Sequence, residues 1–373
     1  MDQIQFQKSK YKNEIKSVVI ACDSLRKGQN NLDVSFEQFI NKKWGISLDA
    51  LYQDLGVNPS VDTIENLFTL PDESVRFLIP EIIRDALRLG LRRSPIWPDN
   101  IAAEQQVSQL SFIQPHLNMS DAGPHYVGEA ETIPTGTISF GQKTVKVRKM
   151  GRGIKIPDEV KNYVSLNVVA IYLQDFGVKL GQAIDTLMID ILINGEQTDG
   201  SESAPVVGVD TTATLTYKDL LRVWIRMARI GRVPLSIIAG ENMAIETLNL
   251  TEFKTNQFGT RGAVGVPTSN ALDIKTPIPS RTLYYIHGSV PTDQSIILDP
   301  GAAIIKYNAQ PLLVETERIV SNQTEATYAT LTTGFGIVFR DGRVIVDKSL
   351  DIDSAGFPSY MDVDAIEAVT IED

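Results

Sequence analysis

Apolar residues recur every three or four positions over most of the first hundred residues, which is the spacing of one face of an α-helix. Ser35 has Gln38 three positions later, as in a capping box, and Ser47 precedes another apolar stripe. Pro80 suits the first turn of a further helix. The stripes consist of Ile15, Val18, Cys22, Leu25, Phe36, Phe39, Ile40, Leu51, Leu55, Ile83, Leu87 and Leu91. Residues 1–100 are therefore predicted to form a helical arm.

The pattern changes to alternation of apolar and polar residues farther along the chain. Residues 107–116 resemble a strand, and residues 127–156 alternate around a turn at 134–136 or 141–142. This second segment is predicted to be one long β-hairpin. Because a two-stranded ribbon is at best marginally stable alone, we expect it to lie on another surface, for which a neighbouring subunit is a natural candidate.

The strongest helical pattern follows the predicted hairpin. It begins after Ser165, a candidate N-cap, and ends at Asn194 and Gly195. Gly177 and Gly181 lie inside it, and each costs up to about 1 kcal/mol relative to alanine in a helix. We expect these glycines to let another backbone pack closely. The apolar stripe consists of Leu166, Val169, Leu173, Phe176, Leu180, Ile184, Leu187 and Ile191.

The rest of the chain mixes short helices and strands. Helices are predicted at 217–230 and 241–250, with a buried strand at 234–239 between them. Residues 254–265 are predicted to be a flexible surface loop. Later strands are predicted at 327–333, 336–339 and 344–346, followed by an acidic tail from Asp351. The overall fold class is therefore α+β.

Composition and charge narrow the function classes. The 373 residues are 43% hydrophobic and 22% charged, as in ordinary globular proteins. The net charge of −11 argues against non-specific binding of nucleic acid. Cys22 is the single cysteine, so no disulfide joins two parts of the chain, and we expect it to be buried and inert. The first residues lack the features of a secretory signal, and no apolar run is long enough to span a membrane.

The residue types that perform chemistry are not grouped in any known pattern. His116, His125 and His287 lack partners at metal-ligand spacing, and no serine lies in a nucleophile elbow. Glu129 and Glu131 share one face of a strand and could form a carboxylate pair, but local or intersubunit charge pairing explains them more simply. No enzyme activity, metal or cofactor is therefore predicted.

One stretch is densely basic. Its residues are Lys143, Lys146, Arg148, Lys149, Arg152 and Lys155. Contact with nucleic acid is one interpretation, although no aromatic residues are interleaved for base stacking. The other interpretation is electrostatic docking onto an acidic neighbouring subunit, which fixes register more than affinity. Docking is favoured because a ribbon needs a partner.

The order of these elements resembles the major capsid proteins of tailed double-stranded DNA bacteriophages, the HK-ninety-seven-type fold. The resemblance covers roughly residues 75–348. It depends on the order of loose motifs: Gly128-Glu-Ala-Glu-Thr-Ile-Pro, Thr144-Val-Lys-Val-Arg-Lys, Ile154-Lys-Ile-Pro-Asp-Glu, Asp190-Ile-Leu-Ile-Asn-Gly, Val264-Gly-Val-Pro-Thr-Ser and Ile297-Leu-Asp-Pro-Gly.

The resemblance implies a domain organisation. The N-terminal helical arm is followed by a long β-hairpin extended loop, a peripheral domain with a long spine helix, and an axial α/β domain. The implied segments are the arm at 1–100, a peripheral strand and loop at 101–126, the extended hairpin loop at 127–156, the spine helix at 157–204, the axial domain at 205–315, a peripheral sheet at 316–350, and an acidic tail at 351–373.

The resemblance also implies a function. The chain would assemble with itself as pentamers and hexamers into an icosahedral virion capsid, built in the host cytoplasm, around double-stranded DNA that it does not bind sequence-specifically. Portal, scaffold and decoration proteins are the implied partners, and no membrane is involved. Intersubunit contact is predicted for Glu129, Glu131, Lys143, Lys146, Arg148, Lys149 and Arg152.

Two further possibilities come with the resemblance. Some members of the family join a hairpin lysine to an asparagine of a neighbour, assisted by a glutamate, and the nearest candidates here are Lys143 or Lys146, with Asn322 and Glu325. Such bonds occur in a minority of the family. The alternative function is an encapsulin-type shell, which has the same fold and encloses enzymes instead of DNA; the long helical arm favours the capsid.

Overall fold

The computed structural model separates into two compact units. The first unit consists of Met1–Pro95, Lys149–Ala183 and Ala309–Thr333, and the second consists of Ile96–Arg148, Ile184–Asn308 and Gly334–Asp373. Within them the structure describes residues 14–27, 35–55, 79–93, 95–117, 138–157, 164–196, 203–251, 271–272, 282–319, 321 and 324–352. Predictions for residues outside these ranges, which include the loop at 254–265 and the tail after 352, are not tested by the structure.

Helices α1 (Ile15–Lys27), α2 (Phe36–Trp44) and α3 (Leu48–Leu55) begin the first unit. The predicted capping box of α2 is confirmed, because the Gln38 amide donates to Ser35 Oγ at 3.0 Å and the Ser35 amide donates to Gln38 Oε1 at 3.4 Å. Ser47 likewise accepts from the Ala50 amide at 3.2 Å. Cys22 is fully buried, in a cluster with Ile15, Val18, Val19, Phe36, Ile40 and Leu51.

Helix α4 (Ile79–Arg93) crosses the first part of the long helix α5 (Leu166–Asn194) at two glycines. A Cβ atom at Gly90 would lie 2.0 Å from the Gln174 carbonyl oxygen, and one at Gly177 would lie 2.2 Å from the Leu87 carbonyl oxygen. The expectation that glycines in α5 admit another backbone is therefore confirmed. The surrounding cluster includes Ile83, Leu87, Val169, Leu173 and Phe176.

A four-stranded sheet has the order β1 (Ala103–Gln106), β10 (Ile304–Ile319), β11 (Thr324–Ile337) and β4 (Arg148–Pro157). Strand β1 runs parallel to β10. Strand β11 replaces two separately predicted strands at 327–333 and 336–339. The strand continues through Gly334, where a side chain would not fit, because a Cβ there would be 2.7 Å from the Lys146 carbonyl oxygen.

Strands β2 (Ser111–Leu117) and β3 (Ile138–Lys146) form a separate antiparallel ribbon. The prediction that residues 127–156 form a hairpin with each other is wrong for its described part, since residues 138–146 pair with β2 and residues 148–157 pair with β11. Alternation of polar and apolar residues indicates the two faces of a strand but not its partner. Residues 118–137 lie outside the described residues.

The second unit is built on a six-stranded sheet. Its strands are β5 (Val206–Val209), β6 (Ser236–Ala239), β7 (Ala271–Leu272), β8 (Leu283–Ile286), β9 (Gln294–Leu298) and β12 (Arg343–Asp351), in the order β5-β12-β9-β6-β8-β7. Helices α6 (Tyr217–Arg229) and α7 (Glu241–Asn249) cover one face, where Val223, Trp224, Met227 and Met243 pack on Ile237, Tyr284, Ile297 and Val344.

Strand β12 pairs with β9 and β5 in the six-stranded sheet. Most of it falls within residues 316–350, for which the resemblance implies a peripheral sheet. Strand β10 crosses the predicted axial boundary at residue 315. Both differences have one cause: a strand's sequence does not state which sheet will complete its hydrogen bonds.

Replacing Gly177 with alanine is expected to lower the free energy of unfolding by about 1–3 kcal/mol, because the new methyl group meets the α4 backbone. Gly181→Ala is the matched control: its Cβ would lie 3.3 Å from the Leu91 carbonyl oxygen, so the helix-propensity gain of up to about 1 kcal/mol offsets most of the strain. Chemical denaturation of both variants measures the difference. A Gly177→Ala protein as stable as the wild type would contradict the close crossing.

Candidate subunit interface

Strand β4 lies at the end of the four-stranded sheet, with β11 on one side and no strand of the described chain on the other. Two glycines bring β11 close. A Cβ at Gly151 would lie 2.6 Å from Thr330 Cγ2, and one at Gly153 would lie 2.7 Å from the Tyr328 ring. The two glycines therefore permit the close approach of β11 on one side, and no described strand pairs with β4 on the other side.

The basic residues of β4 are exposed. Arg148, Lys149, Arg152 and Lys155 all present their side chains to solvent, while Ile156 is buried in the core of the first unit. None of the four basic side chains forms an ion pair with the described part of the chain. The strand has no acidic residue. The open edge is therefore a concentrated positive surface.

Lys306 shows how a lysine of this chain is held when it has internal partners. It is buried, its Nζ lies 2.9 Å from Glu104 Oε1, and the same atom lies 3.3 Å from the centre of the Trp97 ring. Although burial alone would raise it, the pKa of Glu104 is lowered by the Lys306 ammonium and by a hydrogen bond from Asn308. Lys149 and Lys155 have no such arrangement, which suits them to an external partner.

The ribbon of β2 and β3 combines a packed base with exposed apolar side chains. At its base Val145, Val147 and Gln114 are buried, and the Gln114 side chain lies against Gly336. Leu110 and Ile113, by contrast, are 65% and 51% exposed. Lys146 is exposed at the end of β3.

The predicted site residues are described only in part. Lys146, Arg148, Lys149 and Arg152 are exposed as expected of contact residues, and their contacts with a neighbour stay a prediction. Glu129, Glu131 and Asn322 lie outside the described residues. Lys143 lies in β3 and Glu325 in β11, but their side chains are not described. The crosslink therefore stays untested.

The sequence patterns missed an exposed apolar stripe on α5. Val168, Ile171 and Tyr172 are 40%, 63% and 70% exposed, and the last two follow Val168 by three and four positions, which places them one turn farther along the same side of the helix. The predicted stripe through Leu166, Val169 and Leu173 accounted only for the buried side. The sequence alone could have indicated this stripe, because the first part of α5 has more apolar residues than one core-facing stripe needs. Exposed apolar side chains in a group indicate a surface that another molecule covers.

Asp185 is a second residue that the patterns missed. It is 1% exposed, and its Oδ1 accepts hydrogen bonds from the Ile96 and Trp97 amides at 3.1 and 3.0 Å. Burial raises its pKa to about 6, against the lowering effect of those two amides. Asp99, which accepts from the Tyr285 hydroxyl at 2.6 Å, is the nearby acidic group. Asp185 thus holds the chain at Ile96 and Trp97 through these two backbone amides.

The described residues were also compared with the requirements of a metal site, a ligand-binding cleft and a membrane-spanning helix. No three His, Cys, Asp or Glu side chains in the described ranges come together as metal ligands. Burial lowers the pKa of His287, whose Nδ1 accepts from the Ser289 amide at 3.1 Å. A cleft of about 650 Å³ in the first unit has a mixed lining that includes Glu37, Lys42 and Arg88. None of the described helices is long and apolar enough to cross a membrane.

Comparison with known proteins gives structural similarity only. No protein-family model matches the chain, and no curated protein sequence matches it. The Pyrococcus furiosus virus-like particle protein is 11% identical, with 72% of this chain and 98% of that chain covered and a TM-score of 0.47. The capsid of a native GTA particle is 11% identical, with 67% and 88% covered and a TM-score of 0.49.

The SrpI encapsulin of Synechococcus elongatus PCC 7942 is also similar. It is 10% identical, with 72% of this chain and 91% of that chain covered and a TM-score of 0.47. These similar structures are a virus-like particle, a capsid and an encapsulin. At such low identities and scores the likeness does not extend to the residues of any site, and the interface is argued from this chain's own residues.

The stability contribution of Asp185 is expected to depend on pH. Its pKa is about 6 in the folded chain and 3.8 ordinarily, so the folded state holds the proton more tightly and stability falls as pH rises from about 4 to 6. Asp185→Asn keeps an oxygen acceptor without the charge. The wild type should therefore lose about 2–3 kcal/mol relative to Asp185→Asn across that window.

Chemical denaturation at pH 4, 5, 6 and 7 measures this difference. Asp185→Ala is the control, because it leaves the Ile96 and Trp97 amides without an acceptor and should be destabilised at every pH by at least about 1 kcal/mol. A difference between wild type and Asp185→Asn that stays constant from pH 4 to 7 would show that the carboxyl has an ordinary pKa.

Proposed function

We propose that this chain is the repeating subunit of a closed icosahedral shell, the major capsid protein of a double-stranded DNA virus, assembled as pentamers and hexamers. The observation that supports this function best is the ribbon of β2 and β3. It is a two-stranded sheet that no third strand extends within the described chain, and it exposes Leu110 and Ile113.

A ribbon of this kind needs a partner. Two strands alone are marginally stable in water, and burying one exposed leucine or isoleucine contributes about 1.5–3 kcal/mol. The base of the ribbon is already packed within its own unit, through Val145 and Val147. A neighbouring subunit that covers the remaining apolar surface would stabilise both the ribbon and the assembly.

The basic edge of β4 supports the same function in a different way. Its exposed cations match the acidic residues Glu129 and Glu131, which lie in the segment that joins β2 to β3. We expect that segment of one subunit to approach β4 of another. Charge pairs at such a contact set orientation and register more than they add affinity.

The charge of the chain suits a container for DNA. At −11, the chain as a whole repels phosphates, so DNA can be packaged and released without binding tightly to the wall. The DNA would be enclosed without sequence-specific contacts. Portal, scaffold and decoration proteins are the expected partners in a virion, with assembly in the host cytoplasm.

An encapsulin-type shell around cargo enzymes is the second candidate. The ribbon and the basic edge serve it equally well, and an encapsulin is among the similar structures. The two functions differ in the contents of the particle. Nuclease-protected DNA inside purified particles supports the capsid, whereas an enclosed enzyme without such DNA supports the encapsulin-type shell.

Trimming the ribbon tests the intersubunit role. Leu117 and Ile138 are opposite one another in the register of β2 and β3, so an Asn-Gly turn can replace residues 118–137 and keep both strands. The trimmed chain is expected to unfold at the same denaturant concentration as the wild type but to form shells at least tenfold more slowly, as followed by light scattering and negative-stain electron microscopy.

A second variant separates the effect of the two acidic side chains from the effect of the length of segment 118–137. Glu129→Gln with Glu131→Gln keeps the full segment, and it should slow assembly less than trimming does, with an effect that disappears at high salt. Normal shells formed at the normal rate by the trimmed chain would show that this segment does not join subunits.

A further inference from the structure

One side of helix α6 in the second unit is basic. Its cations follow one another by three or four positions, so they lie on the same side of the helix over a length of about 16 Å. The opposite side packs on the six-stranded sheet through Val223 and Met227, which are buried. We call this surface the basic face of α6, and it consists of Lys218, Arg222, Arg226 and Arg229.

Helix stability explains only part of this pattern. Arg226 and Arg229 lie in the last turn, where a cation interacts favourably with the negative end of the helix dipole. Lys218 lies in the first turn, where the positive end of the same dipole disfavours a cation. Arg229 is exposed and forms no ion pair with the described part of the chain. The grouping of four cations on one side therefore indicates an anion outside the chain.

Asp210 moderates the charge of the basic face. Its carboxylate oxygens lie 3.4 Å from Lys218 Nζ and 3.4 Å from Arg222 Nη2. Hydrogen bonds from Lys218 and then from Arg222 hold the pKa of Asp210 below its ordinary value. Because the Lys218 and Asp210 side chains are 70% and 45% exposed, water screens the pair and a competing anion can replace the carboxylate.

The chemistry of the basic face fits the phosphate groups of DNA. Guanidinium and ammonium groups bind phosphate oxygens through charge-assisted hydrogen bonds. A duplex has one negative charge per about 1.7 Å of its axis, so a row of cations along α6 meets several phosphates at once. Contacts of this kind carry no sequence information.

A protein neighbour fits this surface less well. Ile225, 56% exposed, is the one large apolar side chain that α6 exposes, and single exposed apolar residues are ordinary. The stripe on α5 and the ribbon of β2 and β3 instead group two or three such residues. Strand β4 offers an open backbone edge beside its cations, which suits a strand of another chain, whereas α6 offers side chains alone.

We propose that the basic face of α6 contacts the phosphate backbone of double-stranded DNA without sequence preference. This inference deepens the proposed function by naming the surface that touches the enclosed DNA, and it rests on that function for this role only. The net charge of −11 opposes the contact at long range, and Asp210 competes with phosphate for Lys218 and Arg222. The contact is therefore weak and reversible, as packaging and release require.

Fluorescence anisotropy of a short labelled duplex of mixed sequence, titrated with the unassembled full-length chain, measures the contact. Lys218→Gln with Arg229→Gln removes two cations from exposed positions. At low salt the affinity should fall at least tenfold, and the plot of log binding constant against log salt should become shallower by about 2. A second duplex of unrelated sequence should bind equally well.

Asp210→Asn should act in the opposite direction. Asparagine keeps the size of the side chain and removes the charge that competes with phosphate, so the affinity for the duplex should rise at least about threefold. Partial unfolding does not produce such a gain. Lys42→Gln with Lys43→Gln, two exposed cations of α2, is the matched control and should leave DNA binding unchanged. Chemical denaturation checks that every variant is as stable as the wild type.

Lys149→Gln with Arg152→Gln and Lys155→Gln tests the other basic surface, β4, and should weaken DNA binding less than twofold. The proposal is overturned if the wild type binds no duplex at low salt, or if the β4 variant loses binding and the α6 variant does not. It is also overturned if the α6 variant changes self-association, measured by light scattering, without changing DNA binding; the basic face would then bind an acidic surface of another copy.

The result separates this contact from the proposed function. Particles that contain nuclease-protected DNA, formed by a chain whose α6 variant binds the duplex as the wild type does, would keep the shell function and remove the contact. Duplex binding that depends on the basic face, in a chain that forms no particles, would keep the contact and remove the shell function.

Discussion

An edge strand leaves the backbone amide and carbonyl groups of one side without a strand partner, and within the described chain β4 has a strand, β11, on one side only. Gly151 and Gly153 admit β11 closely on that side. The Lys149, Arg152 and Lys155 side chains of β4 are exposed and form no ion pair with the described part of the chain. The most economical explanation is that this surface, like the ribbon beside it in the sequence, is completed by another segment or another subunit.

The exposed apolar residues indicate the same requirement. Leu110 and Ile113 on the ribbon and Ile171 and Tyr172 on α5 lie outside the clusters that hold each unit together. Single exposed apolar residues are ordinary on protein surfaces, but grouped ones indicate contacts. Two such groups and the basic strand β4 are the surfaces that the proposed shell subunit would use for its contacts with neighbours.

Local features could be predicted from the sequence, whereas strand partners could not. The capping box at Ser35, the bounds of α5 and the purpose of Gly177 follow from local chemistry, and the structure confirms all three. The pairing of β3 with β2, rather than with β4, depends on residues far apart in sequence. The burial of Asp185 could also have been predicted, because it stands next to Ile184 of the apolar stripe of α5. A buried carboxylate needs hydrogen-bond donors around it.

Closure of the proposed shell is measured most directly by the mass and shape of the particles that the chain forms. Purified full-length protein, examined by negative-stain electron microscopy and by light scattering over a range of concentration and salt, should form closed particles or rings of five and six subunits. A protein that stays monomeric under all of these conditions, while folded by circular dichroism, would contradict the account.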